Sequence, residues 1–395
     1  MNGTKLYQKL AIVPIVALGL AVAGCNKQAD NGTITPTTTA NTSTTTTTGK
    51  NTTLNYSKNS PLDTSNMFTQ TDLTQTVDTT NAKKITLEDG KDVTIDAAGT
   101  YVITGTAKNS TVIVNASADT EVHLVFDNVS ITNTNKPTVY AVNAKNVYVT
   151  TTQNSTNNLK VTGEFTEDDG NDINAVIFAK TNITLNGLGT LNIDSSANGV
   201  ASNSDLKITG GIYNVNTIKH GFKALNSIRV ADGTFNINAT KDGFHSENED
   251  DLTTGYVYIA GGNFTINSED DGIQGTSITE IDGGTFAINA VEGIEGTYVQ
   301  INDGTIKIYA TDDGINASEK ATNYDVQIEI NGGNLDITMA EGDTDALDAN
   351  GTLTINGGYI NITAQFAFDF DLTASLNGGT VIVNGTQVTS ITNSM

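Results

Sequence analysis

Short runs of alternating apolar and polar residues, each introduced by glycine, recur along most of the chain. In GTFNINA, Phe235, Ile237 and Ala239 fall on one side of an extended strand, and the threonine and asparagines between them fall on the other. No long segment has the 3.6-residue apolar period of an amphipathic helix. The pattern therefore predicts an all-β protein built from short strands.

The glycine-led strands recur at nearly constant spacing, with most intervals at 20–25 residues and two at 29. The equivalent glycines are Gly189, Gly211, Gly233, Gly262, Gly284, Gly304, Gly333, Gly358 and Gly379. Units of this length with three short strands suit one coil of a parallel β-helix, and they lack the leucine–asparagine signature of a leucine-rich repeat. We therefore expect a solenoid over residues 81–395, with Ile, Val, Phe and Leu stacked inside.

The start of the chain predicts a lipoprotein signal peptide over residues 1–24. Lys5 and Lys9 precede an apolar run, 10–22, that is too short to span a membrane. The run ends in VAGC, which resembles a bacterial lipobox, so we expect Cys25 to carry the lipid; an ordinary signal peptide that contains a cysteine is the alternative. This predicts an extracytoplasmic protein, anchored by lipid at the bacterial cell surface.

A tether is predicted between the lipid and the solenoid, over residues 25–80. The stretch NGTITPTTTANTSTTTTTGKNTT (31–53) has almost nothing to bury, so it cannot offset the entropy lost on ordering. Because Cys25 is the single cysteine, no internal disulfide is expected.

Negative charge is concentrated in the C-terminal part of the chain. The formal net charge is -24, and residues 242–395 contain 25 acidic residues against two basic ones, Lys307 and Lys320. This excludes nucleic acid as a partner, since phosphate binding needs a basic surface. Solubility is the simplest role of such a surface.

Many of these acids lie at one recurring corner, after each glycine-led strand. The corners are KHGFKA (219–224), KDGFHS (241–246), DDGIQG (270–275), VEGIEG (291–296), DDGINA (312–317) and TDALDA (344–349). We expect each corner glycine to adopt a conformation that is unfavourable for other residues, with Ala346 as a departure.

Stacked coils would place equivalent corner residues about 4.8 Å apart. The first column would hold Asp242, Asp271, Glu292, Asp313 and Asp345. The second column, three residues on, would hold His245, Gln274, Glu295, Asn316 and Asp348. Like charges at this spacing repel by about 3–4 kcal/mol at an effective dielectric constant of about 20. Such a row can raise its pKa values, turn towards solvent or bind cations.

Calcium is the cation that this donor set predicts, because it takes six to eight oxygen ligands from flexible carboxylates and amides. The candidate ligands are Asp242, Asp270, Asp271, Glu292, Glu295, Asp312, Asp313, Asp343, Asp345 and Asp348. For any single acid, a local role in the turn is the alternative. We expect no zinc site at His220 or His245, because the sequence shows no cysteine or further histidine beside either one.

Both 29-residue intervals contain an insertion after the acidic corner, at 246–256 and 318–325. They would leave the solenoid from the same corner, two coils apart. They could wall a groove over the acids, or they could be tolerated loops.

Four segments together resemble a bacterial family of secreted or lipid-anchored carbohydrate-binding domain proteins. They are TYVITGTA (100–107), LVFDNVSIT (124–132), NAVIFAKTNITLNGLGTLNI (174–193) and the repeated GGxFxIxAxxDGIxG pattern. The resemblance implies a right-handed, single-stranded parallel β-helix like that of pectate lyases. It also implies binding of cellulose or acidic polysaccharide with calcium, and it does not imply catalysis. His220, Ala346 and AFDFDL (367–372) depart from the pattern.

Three functions remain open from the sequence. The first is a monomeric, non-catalytic protein that binds pectin-like or cellulosic polysaccharide through calcium. The second is a calcium-dependent polysaccharide lyase, with Lys223 or Lys241 as the base, since the single arginine, Arg229, lies elsewhere in a strand. The third is a structural or adhesive surface protein without a sugar site.

Overall fold

The structure, a computed structural model, describes residues 61–166, 173–342 and 344–394. Each coil contains up to three short strands, and each strand pairs in parallel with its equivalent in the next coil. The predicted all-β parallel β-helix is confirmed. Among the described residues, the one helical element is a short 3₁₀ turn, Thr64–Asn66, and none is long or apolar enough to cross a membrane.

Three parallel sheets run along the solenoid. Sheet 1 contains β1 (Lys83–Thr86), the first part of β3 (Gly99–Lys108) and of β5 (Glu121–Asn133), β7 (Asn146–Thr151), β10 (Asn182–Gly187), β13 (Asp205–Ile208), β16 (Ser227–Val230), β19 (Tyr256–Ile259), the second part of β21 (Ile273–Ile281) and of β23 (Ile294–Ile301), β26 (Gln327–Ile330), β29 (Thr352–Ile355) and β32 (Thr373–Leu376).

Sheet 2 contains the glycine-led strands. These are the second part of β3 and of β5, β8 (Thr156–Val161), β11 (Thr190–Ser195), β14 (Ile212–Thr217), β17 (Thr234–Ala239), β20 (Asn263–Ser268), β22 (Thr285–Ala290), β24 (Thr305–Ala310), β27 (Asn334–Met339), β30 (Tyr359–Thr363) and β33 (Thr380–Val383), to which β34 (Thr386–Val388) adds an antiparallel edge.

Sheet 3 follows the acidic corner. It contains β2 (Val93–Ile95), β4 (Val112–Asn115), β6 (Val139–Asn143), β9 (Ala175–Ala179), β12 (Asn198–Ser202), β15 (Phe222–Ala224), β18 (Phe244–Ser246), the first part of β21 and of β23, β25 (Asp313–Ala317), β28 (Asp345–Ala349) and β31 (Phe366–Phe370).

The inward side chains stack from coil to coil and keep sheet 2 in register. Tyr213, Phe235, Phe264 and Phe286 form one such stack, with successive ring centroids 5.2, 4.7 and 4.4 Å apart. A one-residue slip would turn this whole row outward. Because burial of each large apolar side chain contributes about 1.5–3 kcal/mol, the stack fixes where every corner residue lies.

Residues 62–75 differ from the prediction, because they pack along the outside of sheet 1 instead of belonging to a tether. Met67 and Phe68 are buried against Tyr258. The carboxylate of Asp72 is 2.7 Å from the ammonium nitrogen of Lys207 and also accepts a hydrogen bond from Thr184. The composition of this segment does not reveal its packing, because a few apolar and polar contacts are enough to hold it against the surface of the solenoid. Cys25 and residues 1–60 lie outside the described residues.

Candidate functional site

The corner between sheets 2 and 3 positions the two predicted columns of side chains. The amide of Gly272 donates to the carbonyl of Glu292 at 2.8 Å, and the amide of Gly293 donates to that of Asp313 at 3.0 Å. In the second column, Glu295 pairs with Gln274 on one side and Asn316 on the other. Both columns therefore exist as stacks along the solenoid.

The corner glycines are needed for a reason other than the predicted one. Gly243, Gly272 and Gly314 do not have positive φ angles. A Cβ atom on Gly243 would lie 2.6 Å from the carbonyl oxygen of Gly272, and one on Gly314 would lie 2.5 Å from that of Ala346. The expectation of an unfavourable backbone conformation is wrong, because close stacking of neighbouring coils is what excludes a side chain.

At one end of the site, each of the two columns contains a histidine. His220 and His245 come from consecutive coils, and their stacked rings have centroids 4.3 Å apart. Nδ1 of His245 lies 2.5 Å from Oδ2 of Asp242, and Nδ1 of His220 lies 3.3 Å from the same oxygen. Nε2 of His245 lies 3.2 Å from Oε2 of Glu247. We call these four residues the histidine end.

The histidine end favours a charged Asp242. Burial alone would raise the pKa of this carboxyl group, but His220 and His245 outweigh burial and hold the pKa below its ordinary value. Burial would lower the pKa of His245, whereas the contacts with Asp242 and Glu247 raise it. His220 has weaker contacts, and burial lowers its pKa.

In the next coils the column is acidic. Ligand atoms of Asp271, Glu292 and Glu295 all lie within 4.8 Å of one another. Gln274 donates to Asp271 at 2.7 Å and also donates to Glu295. Burial, followed by the charges of neighbouring acids, raises the pKa values of Asp271 and Glu292. The three carboxyl groups are thus held together at a cost that a bound cation would offset.

The acidic column continues beyond the triad formed by Asp271, Glu292 and Glu295. Burial and the charges of Asp348 and Glu292 raise the pKa of Asp313 to about 8. Burial and the charges of Asp369 and other acids raise the pKa of Asp348 to about 6. We call Asp271, Glu292, Glu295, Asp313 and Asp348 the acid end.

The remaining predicted ligands occupy different surroundings. Asp270 lies 2.6 Å from the ammonium group of Lys241, and that contact raises the pKa of Lys241. Asp312 is exposed. The amide of Asp345 donates to Oδ1 of Asp313 at 3.3 Å, so this corner continues the first column. Asp343 lies outside the described residues.

The two insertions meet beside the columns. The hydroxyl of Tyr324 donates to the carbonyl of Thr253 at 3.4 Å. One insertion brings Glu247 to His245, and the other brings the ammonium of Lys320 to 2.8 Å from Glu295. Together with the corners, they line a cleft of about 400 Å³.

Three features of the site were missed or misread from the sequence. His220 and His245 are adjacent, although they are 25 positions apart in the sequence. One coil of 22 residues leads from His220 to Asp242, and three further residues lead to His245, so the repeat spacing could have revealed the pair. Asp369, within a segment interpreted as a departure, pairs with Asp348 and extends the second column. The lysine that reaches the triad, Lys320, lies in an insertion, and the repeat carries no signal for its position.

Comparisons with known proteins identify a family. The family model described as "Carbohydrate-binding domain-containing protein" matches residues 89–298 and 290–390. A protein of Acetivibrio thermocellus with the same description is 33% identical over 124 residues, which are 31% of this chain. The match spans 43% of that relative's length.

One solved structure is similar as well. It is described as "Structure of the polysaccharide lyase-like protein from C. thermocellum, Gadolinium derivative". The sequence identity is 26% and the TM-score is 0.49, and the match covers 67% of this chain and 98% of the other.

Proposed function

Because the chain belongs to the carbohydrate-binding domain-containing protein family, we propose that it is a non-catalytic surface lipoprotein that binds polysaccharide through calcium. The polysaccharide is either acidic, such as polygalacturonate, or cellulosic. The acid end would hold the calcium, and the cleft beside it would receive the sugar chain.

The observation that carries this proposal is the cluster formed by Asp271, Glu292 and Glu295. Asp271 is 6% exposed and Glu295 is 3% exposed, so solvent screens little of their repulsion. A divalent cation would remove that repulsion, and calcium accepts carboxylates in flexible geometry.

The neighbouring amide fits the same ion. Oδ1 of Asn316 is buried and accepts no hydrogen bond, whereas its Nδ2 donates to Glu292 at 3.0 Å. An amide oxygen is an ordinary calcium ligand. The residues present therefore suit calcium better than a metal that requires nitrogen or sulfur ligands.

Calcium also accounts for how an acidic protein would bind an acidic polymer. The chain carries a formal charge of -24, so a polyuronate would be repelled at long range. Bound calcium supplies positive charge that a uronate carboxylate can share. Lys223, which lines the same cleft, would add to this attraction.

We further propose that the protein is a monomer and that Cys25 carries the lipid that holds it at the extracytoplasmic surface. Two acyl chains would suffice for stable anchoring, because each buried CH₂ contributes about 0.8 kcal/mol. Metabolic labelling with a fatty-acid analogue would transfer label to the full chain but not to Cys25→Ser.

Affinity electrophoresis tests the binding function. The full chain carrying Cys25→Ser would be run through gels containing polygalacturonate or soluble cellulose derivatives, with calcium or with chelator. We expect retardation with calcium alone, and its loss in Glu292→Gln; Glu249→Gln, an exposed change of equal charge, is the control. Absence of retardation in every gel would favour a structural or adhesive protein.

A calcium-dependent lyase is the second candidate, and one observation favours it. Lys223 lines the cleft next to His245 in sheet 3. Lys241 suits the role of base less well, because the contact with Asp270 raises its pKa. Release of unsaturated product from polygalacturonate, abolished in Lys223→Met, would establish this activity.

A further inference from the structure

We propose that His220, Asp242 and His245 form a binding site for a divalent transition metal ion such as Zn²⁺, distinct from the calcium positions of the acid end. The two imidazoles and the carboxylate each offer a ligand atom, and these atoms lie within 4.8 Å of one another. Two histidine nitrogens and one carboxylate oxygen are a common ligand set for zinc and other first-row metals.

The solenoid itself brings the three ligands together. His220 and Asp242 occupy the same corner position in consecutive coils, since the amide of Gly221 donates to the carbonyl of Asp242 at 2.9 Å. His245 follows three residues after Asp242 at the start of sheet 3. The stack therefore fixes all three side chains without any loop.

An unsatisfied nitrogen points to a ligand. Nδ1 of His220 is buried and makes no well-aligned hydrogen bond, although it lies 3.3 Å from Oδ2 of Asp242 in an ion-pair contact. A buried nitrogen that lacks a well-aligned hydrogen bond is costly, so the contact with Asp242 alone leaves it incompletely satisfied. A metal ion between the imidazole and the carboxylate would satisfy this nitrogen.

The surroundings also hold the ligands in a suitable orientation. Nε2 of His245 lies 3.2 Å from Glu247, in the arrangement by which carboxylates orient metal-binding histidines, and its Nδ1 faces Oδ2 of Asp242, which is another of the ligands. The amide of Asp271 donates to Oδ1 of Asp242 at 3.3 Å, which leaves Oδ2 facing the histidines. Metal binding would displace the proton between His245 and Asp242.

Ligand chemistry separates this site from the acid end. Imidazole nitrogen binds zinc, copper, nickel and iron, whereas calcium prefers oxygen. The acid end offers carboxylate and amide oxygens only. The sequence predicted no zinc site because it placed no further histidine beside His220 or His245, and that premise is wrong, since the coils bring the two ring centroids to 4.3 Å from each other.

The test titrates Zn²⁺ into the full chain carrying Cys25→Ser, purified without a histidine tag, in excess calcium so that oxygen sites are filled. Calorimetry gives the affinity, and Co²⁺ in place of Zn²⁺ reports nitrogen ligation through its visible absorption. We expect one bound ion, and a loss of zinc affinity of at least about 100-fold in His220→Gln and in His245→Gln.

His123→Gln is the matched control, because His123 is the third histidine of the chain and stacks on Tyr148 in sheet 1. Its zinc affinity should equal that of the unchanged protein. Thermal unfolding shows whether each variant is folded. The proposal is overturned if the unchanged protein binds no Zn²⁺ in calcium, if Co²⁺ shows oxygen ligands only, or if both histidine variants keep full affinity.

Discussion

Asp242 and Asp271 occupy the same position in consecutive coils, and their carboxyl groups have opposite electrostatic surroundings. Both are almost fully buried, with 2% and 6% of the residue exposed. The pKa of Asp242 is lowered, because two histidines outweigh the effect of burial. The pKa of Asp271 is raised, because burial is reinforced by three other carboxylates.

One position in each corner accounts for much of the difference. The second column has His245 beside Asp242 and Gln274 beside Asp271. A histidine can supply positive charge, whereas a glutamine can only donate a hydrogen bond. In the metal-free protein, the same backbone thus produces one region where histidines compensate the buried carboxylate and another where only an external cation would compensate the carboxylates.

The largest expected effect concerns the glycines that give both coils the same backbone. Gly272→Ala should lower the free energy of unfolding by about 3 kcal/mol, because its Cβ would lie 2.5 Å from the carbonyl oxygen of Gly293. Urea denaturation measures the change. Ala346→Gly is the control, where a side chain already fits, and should cost about 1 kcal/mol or less. Equal losses in the two variants would contradict the role of close stacking.

Intermediate effects are expected from exchanging the two aspartates for asparagine in chelator at pH 7. Asp242→Asn should lower the free energy of unfolding by about 2 kcal/mol, because a buried charged hydrogen bond to His245 is lost. Asp271→Asn should change it by about 0.5 kcal/mol or less, because the raised pKa already favours the neutral acid. Thermal unfolding by circular dichroism compares them; equal losses would remove the distinction between the two ends.

The sequence predicts the fold well because the repeat is a direct record of stacking. The spacing of Gly211, Gly233 and Gly262 defines the coils, and the alternation in GTFNINA defines which side chains point inward. It also places the columns, since equivalent corner residues must stack. Contacts between non-equivalent positions of neighbouring coils are harder to predict, as the pair His220 and His245 illustrates. Such contacts depend on an offset along the chain as well as on the length of the coil.

Features outside the repeat were predicted least well. Residues 61–80 have no period, and their anchoring through Met67 and Asp72 depends on the outer face of sheet 1. Lys320 reaches Glu295 from an insertion whose path the sequence does not specify. Local composition describes such segments poorly, because what holds them is supplied by another part of the chain.

The smallest expected effect is a pH dependence at the acid end, measured in chelator with Asp313→Asn. The folded-state pKa of Asp313 is raised to about 8 by burial and neighbouring acids, so its stabilising contribution is complete below the unfolded pKa of about 3.9 and is lost as pH rises towards 8. The free energy of unfolding of Asp313→Asn, relative to that of the unchanged protein, should therefore rise by about 1 kcal/mol between pH 5 and pH 9. For Glu249→Gln, an exposed change of equal charge, the free energy of unfolding relative to the unchanged protein should stay constant over the same pH range. An unchanged difference across this range would mean that Asp313 is not held at close range by other carboxylates, and that the acid end resembles an ordinary solvated surface.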